Sequence, residues 1–467
     1  MTMMPEGQTD QGILGSEHRR LTIGIVATVV FIAFEAMAVA TAMPKAVPDL
    51  DGLPLYALAF SGYLTTSLFG MVVAGEVCDR RGPRLPLLAG AATFSAGLLV
   101  AGFAQSMWPF IAGRAIQGLG GGLVIVALYV VVGRAYDEAL RPRIFAGMAA
   151  AWVVPSIVGP LVAGLLADHV SWRWVFLGIA PLVLIPVAMS LPSVTAVDGP
   201  PPGGPAVRRG RKRLALAAAA GMGLLQYAGT RPDAVAIVLC VVALALLVPS
   251  VPRLLPAGTL RLARGLPTVV ALRGILAGAF FGAEAFLPLM LVSERGLSST
   301  LAGLSLTGGA LGWALGSWYQ GRPRLTTPRH LLIRVGSLIV AAAIAALALV
   351  LLPAVPVVVA TAAWMVGAVG MGMAMASISV VLFELSPVED HGTNSAAMQL
   401  SDALFSITFV GVAGTIFGSA HGGAAAASTS ESAAVPAWVY VAILAVMSAL
   451  ALGGAWAAGR IRAHGVD

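Results

Sequence analysis

The sequence predicts an all-α integral membrane protein of fourteen transmembrane helices, arranged as two six-helix halves plus an inserted two-helix hairpin. Three observations carry that prediction. First, 58% of the 467 residues are hydrophobic and only 10% are charged, against about 25% charged in a soluble domain. Second, the apolar residues fall into runs of about 20, the length a helix needs to cross a bilayer. Third, the basic residues alternate from loop to loop. With the N-terminus inside, 23 of the 28 Lys and Arg fall on inner segments, and four (Lys45, Arg173, Arg231, Arg295) on outer ones. With arginines just inside span ends counted to the adjoining segment, Arg114 alone then lies within a span. Such asymmetry is what positive retention of cytoplasmic loops produces, and one span more or fewer would scramble it.

The net charge of +7 sits in short loops between apolar runs. It is orientation chemistry rather than a phosphate-binding face, so the expected surroundings are a lipid bilayer and no nucleic acid. The two cysteines, Cys78 and Cys240, provide neither a disulfide framework nor a metal cluster. The 55 glycines suit helices that pack closely in lipid.

In chain order, residues 1–20 form a polar, cytoplasmic N-terminal tail, and Arg19-Arg20 leads into an apolar run with no small-residue cleavage site. The first span is therefore read as retained rather than as a signal peptide. Spans are expected near 21–43, 55–77, 85–105, 107–133, 143–167 and 172–191, making the N-terminal half 21–191. Residues 192–213 are rich in Pro and Gly and close with Arg208, Arg209, Arg211, Lys212 and Arg213, which reads as a cytoplasmic linker. An inserted hairpin, 214–252, follows as spans 214–230 and 234–252, turning at Arg231-Pro232-Asp233. With no charge inside either span, the hairpin is expected at the periphery, facing lipid. The C-terminal half, 253–458, holds spans near 269–292, 300–320, 331–352, 357–384, 393–420 and 436–458, and 459–467 is a cytoplasmic tail.

The halves share a weak internal repeat. Phe31-x3-Glu35-Ala36 in the first span matches Phe280-x3-Glu284-Ala285 in the first span of the second half. Each glutamate lies roughly 22 Å along its helix at 1.5 Å per residue. Four charges, Glu35, Arg114, Glu284 and Asp402, are expected inside the membrane. Each costs about 2.5–3.5 kcal/mol to insert, so function is the default explanation. Glu35 and Arg114 lie at similar depths, which makes an ion pair possible. A carboxylate whose charge is opposed by burial and favoured by a nearby cation can load and release a proton. The plainer alternatives are a fixed structural pair, or an Arg114 that snorkels to the interface.

The densest polar stretch is Gly75-Glu76-Val77-Cys78-Asp79-Arg80-Arg81-Gly82-Pro83-Arg84, read as a tight turn between the second and third spans. Gly75, Asp79, Arg80, Gly82 and Arg84 match Gly-x3-Asp-Arg-x-Gly-x-Arg, and on these residues the chain resembles the major facilitator superfamily. Arg114-Ala115-Ile116-Gln117-Gly118-Leu119-Gly120 is similar to the fourth-helix motif of its drug exporters, whose arginine is linked to proton transfer. Glu35, with Pro44 nine residues on, occupies the slot of the acidic residue in the first-helix motif of the fourteen-helix drug:proton antiporters. Glu replaces Asp there, and Ala40 replaces Asn. Pro155-x3-Gly159-Pro160-x2-Ala163-Gly164 resembles the fifth-helix antiporter motif, with Pro155 for a glycine and Ala163 for another. Trp172-Arg173-Trp174-x-Phe176 with Pro181 resembles the start of the sixth helix, with Ile179 where Asn is usual.

The resemblance implies a gating role for the Gly75–Arg84 loop, a packed seam between the halves at Pro155, Gly159, Pro160 and Gly164, and proton coupling through Glu35, Arg114, Glu284 and Asp402. It implies efflux of lipophilic, neutral or cationic small molecules by proton antiport across the plasma membrane. The alternative within the same fold is a proton-linked importer or metabolite exchanger. No phosphate-binding loop, zinc spacing or nucleophile elbow occurs in the sequence. The expectation is thus a transporter and not an enzyme, driven by a proton gradient without a cofactor, and a monomer.

Overall fold

A computed structural model describes residues 13–15, 18–137, 140–197, 199, 211–229, 234–322, 327–386, 391–427 and 435–461. The chain is all-helical among these residues. The helices are α1 (Arg19–Asp49), α2 (Tyr56–Arg81), α3 (Arg84–Gly102), α4 (Met107–Ala135), α5 (Arg141–Ala150), α6 (Val153–His169), α7 (Arg173–Leu177), α8 (Ile179–Leu182) and α9 (Leu184–Ala196). They continue as α10 (Arg211–Ala228), α11 (Ala234–Leu254), α12 (Leu266–Arg295), α13 (Ser299–Gln320), α14 (Arg329–Leu347), α15 (Val358–Glu384), α16 (His391–Ala427) and α17 (Ala437–Ala457). Eleven helices among the described residues are long and apolar enough to cross a membrane.

The expected spans differ from these helices in instructive ways. The 143–167 run is split into α5 and α6 by a turn at Ala151-Trp152. The 172–191 run is three helical pieces, and its last piece passes through Pro192 to Ala196, into the expected linker. The basic residues Arg208 and Arg209, the Arg231-Pro232-Asp233 turn, the tail up to residue 12 and residues 462–467 lie outside the described residues.

Helices α1–α9 pack mainly among themselves, as do α12–α17. Small residues set the closest approaches. In the first group α4 lies against α2 and α3: a Cβ added at Gly118 would sit 2.1 Å from the Tyr63 carbonyl oxygen, and one at Gly120 2.3 Å from the Phe94 amide. In the second, α13 and α15 meet the same way, with Gly316 facing the Val369 carbonyl at 2.0 Å and Gly372 the Trp313 carbonyl at 2.1 Å. Without hydrophobic drive between helices in lipid, backbone proximity of this kind is what holds them together.

The two groups meet through α6 with α13 and α2 with α16. Tyr56, fully buried, donates a hydrogen bond to the Ala285 carbonyl at 2.7 Å and packs its ring against Phe286 and Phe417. Of the hairpin α10–α11, expected at the periphery, α11 is exposed and only α10 departs from that position. In α11, Ile237 and Val248 are each 69% exposed, and that helix packs on α10. In contrast, α10 packs against both α2 and α16, with Gln226 buried and donating to the Ile407 carbonyl at 2.9 Å.

Candidate transport site: a buried ion pair and an interlocked seam

Glu35 on α1 and Arg114 on α4 are both buried, and the Arg114 guanidinium donates to the Glu35 carboxylate. Three further contacts fix the arginine. Its Nη1 reaches Gln117 Oε1 at 2.6 Å, its Nε reaches the Ala59 carbonyl at 3.1 Å, and its guanidinium lies 4.7 Å from the centre of the Tyr63 ring. A buried arginine held by an anion, an amide, a carbonyl and an aromatic face is thus desolvated with compensation, not snorkelling. Glu35 Oε2 and Gln117 Nε2 are buried without hydrogen-bond partners. Side-chain capacity for a further donor and a further acceptor is therefore left inside the cluster. Tyr63 was not singled out by sequence. Gln117 lay in the quoted fourth-helix motif, three residues after Arg114, where one helical turn stacks side chains on a single face.

The other two charges go elsewhere. Glu284 on α12 has no hydrogen-bond or ion-pair partner among the described residues. Four and three residues before it, Phe280 stacks on Trp364 with centroids 4.2 Å apart, and Phe281 lies 6.5 Å from Trp313. Asp402 on α16 pairs with Arg273 on α12 at 2.9 Å, both partly exposed. The charge count places Arg273 among the 23 inner basic residues, but it lies seven residues into α12, so Arg114 is not the one arginine within a span. The signal was its place between two apolar runs, Thr268–Leu272 and Gly274–Phe281.

The Gly75–Arg84 stretch is not the open turn that its composition suggests. Helix α2 runs on to Arg81, so Gly75, Asp79 and Arg80 are helical, and a Cβ at Gly75 would meet nothing within 4 Å. The turn is Gly82 with φ +92°, a left-handed position that favours glycine, and α3 starts at Arg84. Arg80 pairs with Glu76 one turn earlier at 2.7 Å. Arg134 of α4 donates to the Cys78 carbonyl at 3.1 Å, tying the ends of α2 and α4. Asp79 has no hydrogen-bond or ion-pair partner among the described residues.

At the opposite end of the molecule α6 interlocks with α1 and α13. Pro155, Gly159 and Pro160 are buried. Gly159 faces Phe34 and Met37 of α1, while a Cβ at Gly164 would sit 2.4 Å from Thr300 Cα. A Cβ at Gly303 would meet Thr41 at 2.4 Å and the Pro160 carbonyl at 3.1 Å. Just beyond the expected 143–167 span, Asp168 accepts from the Thr300 amide at 2.9 Å, the Thr300 hydroxyl at 2.6 Å and the Ser299 amide at 3.3 Å, with Lys45 at 3.9 Å. It thereby caps the first turn of α13 from the other helical group. Partial burial opposes its charge, but the Thr300 and Ser299 hydrogen bonds and Lys45 outweigh that and hold the carboxyl below its usual range. Sequence reading passed over Asp168, because an aspartate at a span end is also what an ordinary loop provides.

Residues 25–410 match the sequence model of the Major Facilitator Superfamily. The chain belongs to the Major Facilitator Superfamily. Among curated relatives it is 31% identical over 187 residues to the multidrug transporter protein MdtP of Bacillus subtilis, covering 40% of this chain and 34% of that protein. It is 33% identical over 162 residues to a probable multidrug-efflux transporter of Mycobacterium tuberculosis, covering 35% of this chain and 34% of that protein. The alignments thus span about a third of the length of these relatives. Among solved structures it is similar to the POT family transporter PepTSo, with a TM-score of 0.72 at 13% identity, covering 94% of this chain and 97% of that one. An auto-inhibited POT family peptide transporter gives 0.68 at 17% identity, covering 95% and 98%. At such identities the likeness is one of fold.

Proposed function

We propose that this superfamily transporter is a secondary active exporter of lipophilic, neutral or cationic small molecules, working by proton antiport and alternating access. The observation that carries the reading is the Glu35–Arg114–Gln117 cluster. A buried carboxylate that can exchange an arginine partner for a proton is a carrier for the coupling ion, and the same cluster keeps a free acceptor and a free donor. The partial sequence likeness to multidrug transporters supports the substrate class. Of the charges well inside the helices that the site involves, the three carboxylates Glu35, Glu284 and Asp402 outnumber the two arginines paired with them, Arg114 and Arg273, which disfavours an anionic cargo.

With α10, α13 and the α5–α6 pair, the eleven long apolar helices supply fourteen spans in two six-helix halves, 21–191 and 253–458, around the hairpin 214–252. In that reading the Gly75–Arg84 end faces the cytoplasm of a plasma-membrane protein, with both termini inside. The Asp168–Thr300 interlock closes the outer side, and the unpaired Asp79 belongs to a conformation released at the inner side. The second reading is a proton-linked importer or exchanger, compatible with the fold shared with peptide transporters.

Uptake of a fluorescent lipophilic cation into inverted vesicles, with and without a protonophore, separates the two. Protonophore-sensitive accumulation with proton release supports export, and accumulation only in right-side-out vesicles supports import. Glu35→Gln keeps the side-chain size but cannot cycle a proton, so it is expected to remove substrate-induced proton movement while retaining substrate binding. Proton release at the wild-type rate in Glu35→Gln would move coupling to another carboxylate.

A further inference from the structure

Glu284 is a membrane carboxylate that the Glu35 coupling cluster leaves without a task. Its helix, α12, is the most enclosed of the eleven long apolar helices among the described residues. Of its apolar window 83% is buried, against 17–67% in the others. It packs on α1, α13, α15, α16 and α17. From Thr268 to Leu291 every residue is buried except Arg273, Phe281 and Glu284. At about 100° per residue these three fall within about 80° of one another, on one face of the helix. With protein on so many sides of α12, that accessible face opens on space inside the bundle rather than on lipid.

At one end of the face Arg273 is already neutralised by Asp402, at 2.9 Å. About 16 Å further along the helix, Glu284 has no hydrogen bond or ion pair among the described residues. Its carboxylate oxygens are not sealed in, in contrast to the unpartnered Glu35 Oε2. Phe281, one turn before Glu284, lies nearly parallel to the Trp313 ring of α13, with centroids 6.5 Å apart. Trp313 also meets Phe280 edge to face at 5.7 Å, and Phe280 stacks on the buried Trp364. The indole is thus held against a fixed aromatic base. Trp313 and Phe281 are both only half-buried, so ring surface is left uncovered one turn from the bare carboxylate.

A carboxylate facing an enclosed, largely apolar space lacks the solvation of bulk water and is stabilised most by a cation. An inorganic ion would need several oxygen ligands. No group of three His, Cys, Asp or Glu among the described residues could supply them. An organic cation needs one counter-charge and an aromatic face. We propose that Glu284, with Phe281 and Trp313, is the recognition point for a lipophilic monovalent organic cation, whose charge lies against the carboxylate and whose apolar face lies on the Trp313 ring. Glu284 is then a specificity-determining residue for the cargo and not a carrier of the coupling proton. The inference rests on the cargo class proposed above, but not on the direction of transport or on Glu35.

The test is equilibrium binding of radiolabelled tetraphenylphosphonium to the purified full chain in detergent, with tetraphenylborate as its anionic isostere and triphenylphosphine oxide as a neutral relative. The parent should bind the cation and the neutral compound, and not the anion. Glu284→Gln should lower affinity for the cation about tenfold or more and leave that for the neutral compound within about twofold. Glu284→Asp keeps the charge and should retain most of the affinity, which separates recognition from a merely structural role. Trp313→Ala should lower affinity for the cation about fivefold and Trp313→Phe about twofold. Glu294→Gln removes a carboxylate near the end of the same helix and should change it by less than about twofold. Unchanged cation affinity in Glu284→Gln would overturn the proposal, and so would a parent that binds no tetraphenylphosphonium or an equal loss for the neutral compound. Binding needs neither a gradient nor a vesicle orientation, so the two readings fail separately. Glu284-dependent binding without protonophore-sensitive export would sink the export reading alone, whereas export with cation affinity indifferent to Glu284→Gln would sink this one alone.

Discussion

The two helical groups carry the same glutamate in the same local sequence and surround it with different chemistry. In Phe31-x3-Glu35-Ala36 the carboxylate meets a buried arginine from α4. In Phe280-x3-Glu284-Ala285 no cation is supplied. The helix that packs there as α4 does in the first group is α15, and it brings Trp364, stacked on Phe280. The charge pair of the second group, Arg273–Asp402, lies elsewhere and is partly exposed. One half therefore concentrates ionic chemistry in a closed cluster, and the other lines the equivalent place with aromatic surface. A repeat in sequence has not made a repeat in electrostatics, because the partner residue comes from a different helix that diverged independently.

The sharpest way to break that contrast is to remove the cation from each pair. Arg114→Leu strands Glu35 in a buried site and should cost about 3–5 kcal/mol, whereas Arg273→Leu leaves a partly solvated Asp402 and should cost about 1 kcal/mol or less. Thermal unfolding in one detergent gives both values. Equal losses would mean that the two pairs are equivalent. The double variant Glu35→Gln/Arg114→Leu should recover part of the Arg114→Leu loss.

The next effect concerns the charge that joins the groups. Asp168→Asn keeps a weaker acceptor for the α13 amides but loses the charge beside Lys45, and should weaken the interlock by about 1–2 kcal/mol. Cysteine labelling at position 41, shielded by Gly303 in this conformation, should become faster. The pH dependence has a definite sign. The Asp168 carboxyl is held below its usual value, so its stabilisation is complete above the unfolded-state value of about 3.9 and is lost only as pH falls through the lower folded value. The interlock should hold unchanged from pH 8 to 5, and labelling that accelerates within that window would refute its dependence on this ionisation.

The smallest effect is expected at Glu284. Having no partner to strand, Glu284→Gln should leave thermal stability within about 0.5 kcal/mol of the parent or raise it, since an unpaired carboxylate costs desolvation. A loss of several kcal/mol would reveal a counter-charge and erase the difference between the groups.

How far the sequence reaches can be judged from particular residues. Glu35 and Arg114 stood out because a charge in an apolar run is costly wherever it lands, and equal depth followed from counting residues along two helices. Their shared helix end could be counted, but the wrap of Tyr63, Ala59 and Gln117 around the guanidinium could not. The resemblance in the Gly75–Arg84 stretch was legible, but not that α2 would absorb most of it as helix and leave the turn to Gly82. Gln226 and Tyr227 are legible as polar residues in a hairpin expected to face lipid. Their actual surroundings depend on which face of α10 meets α16, and beyond its basic start, Arg211-Lys212-Arg213, this Ala/Gly/Leu helix has no polar face to announce that choice.

What the sequence determined by itself is what each residue determines locally: apolar runs long enough to span, arginines that choose a side, and glycines that permit close helices. These rest on transfer free energies and on charge, which are properties of single residues and short windows. Only the tertiary structure decided who meets whom: Arg114 with Glu35, Arg273 with Asp402, Asp168 with the start of α13, and α10 with the seam. In a bilayer every outward face of a helix is equally apolar, so hydropathy cannot rank one neighbour above another. Close packing and the pairing of a few polar atoms make that choice, and they operate between residues far apart in the chain.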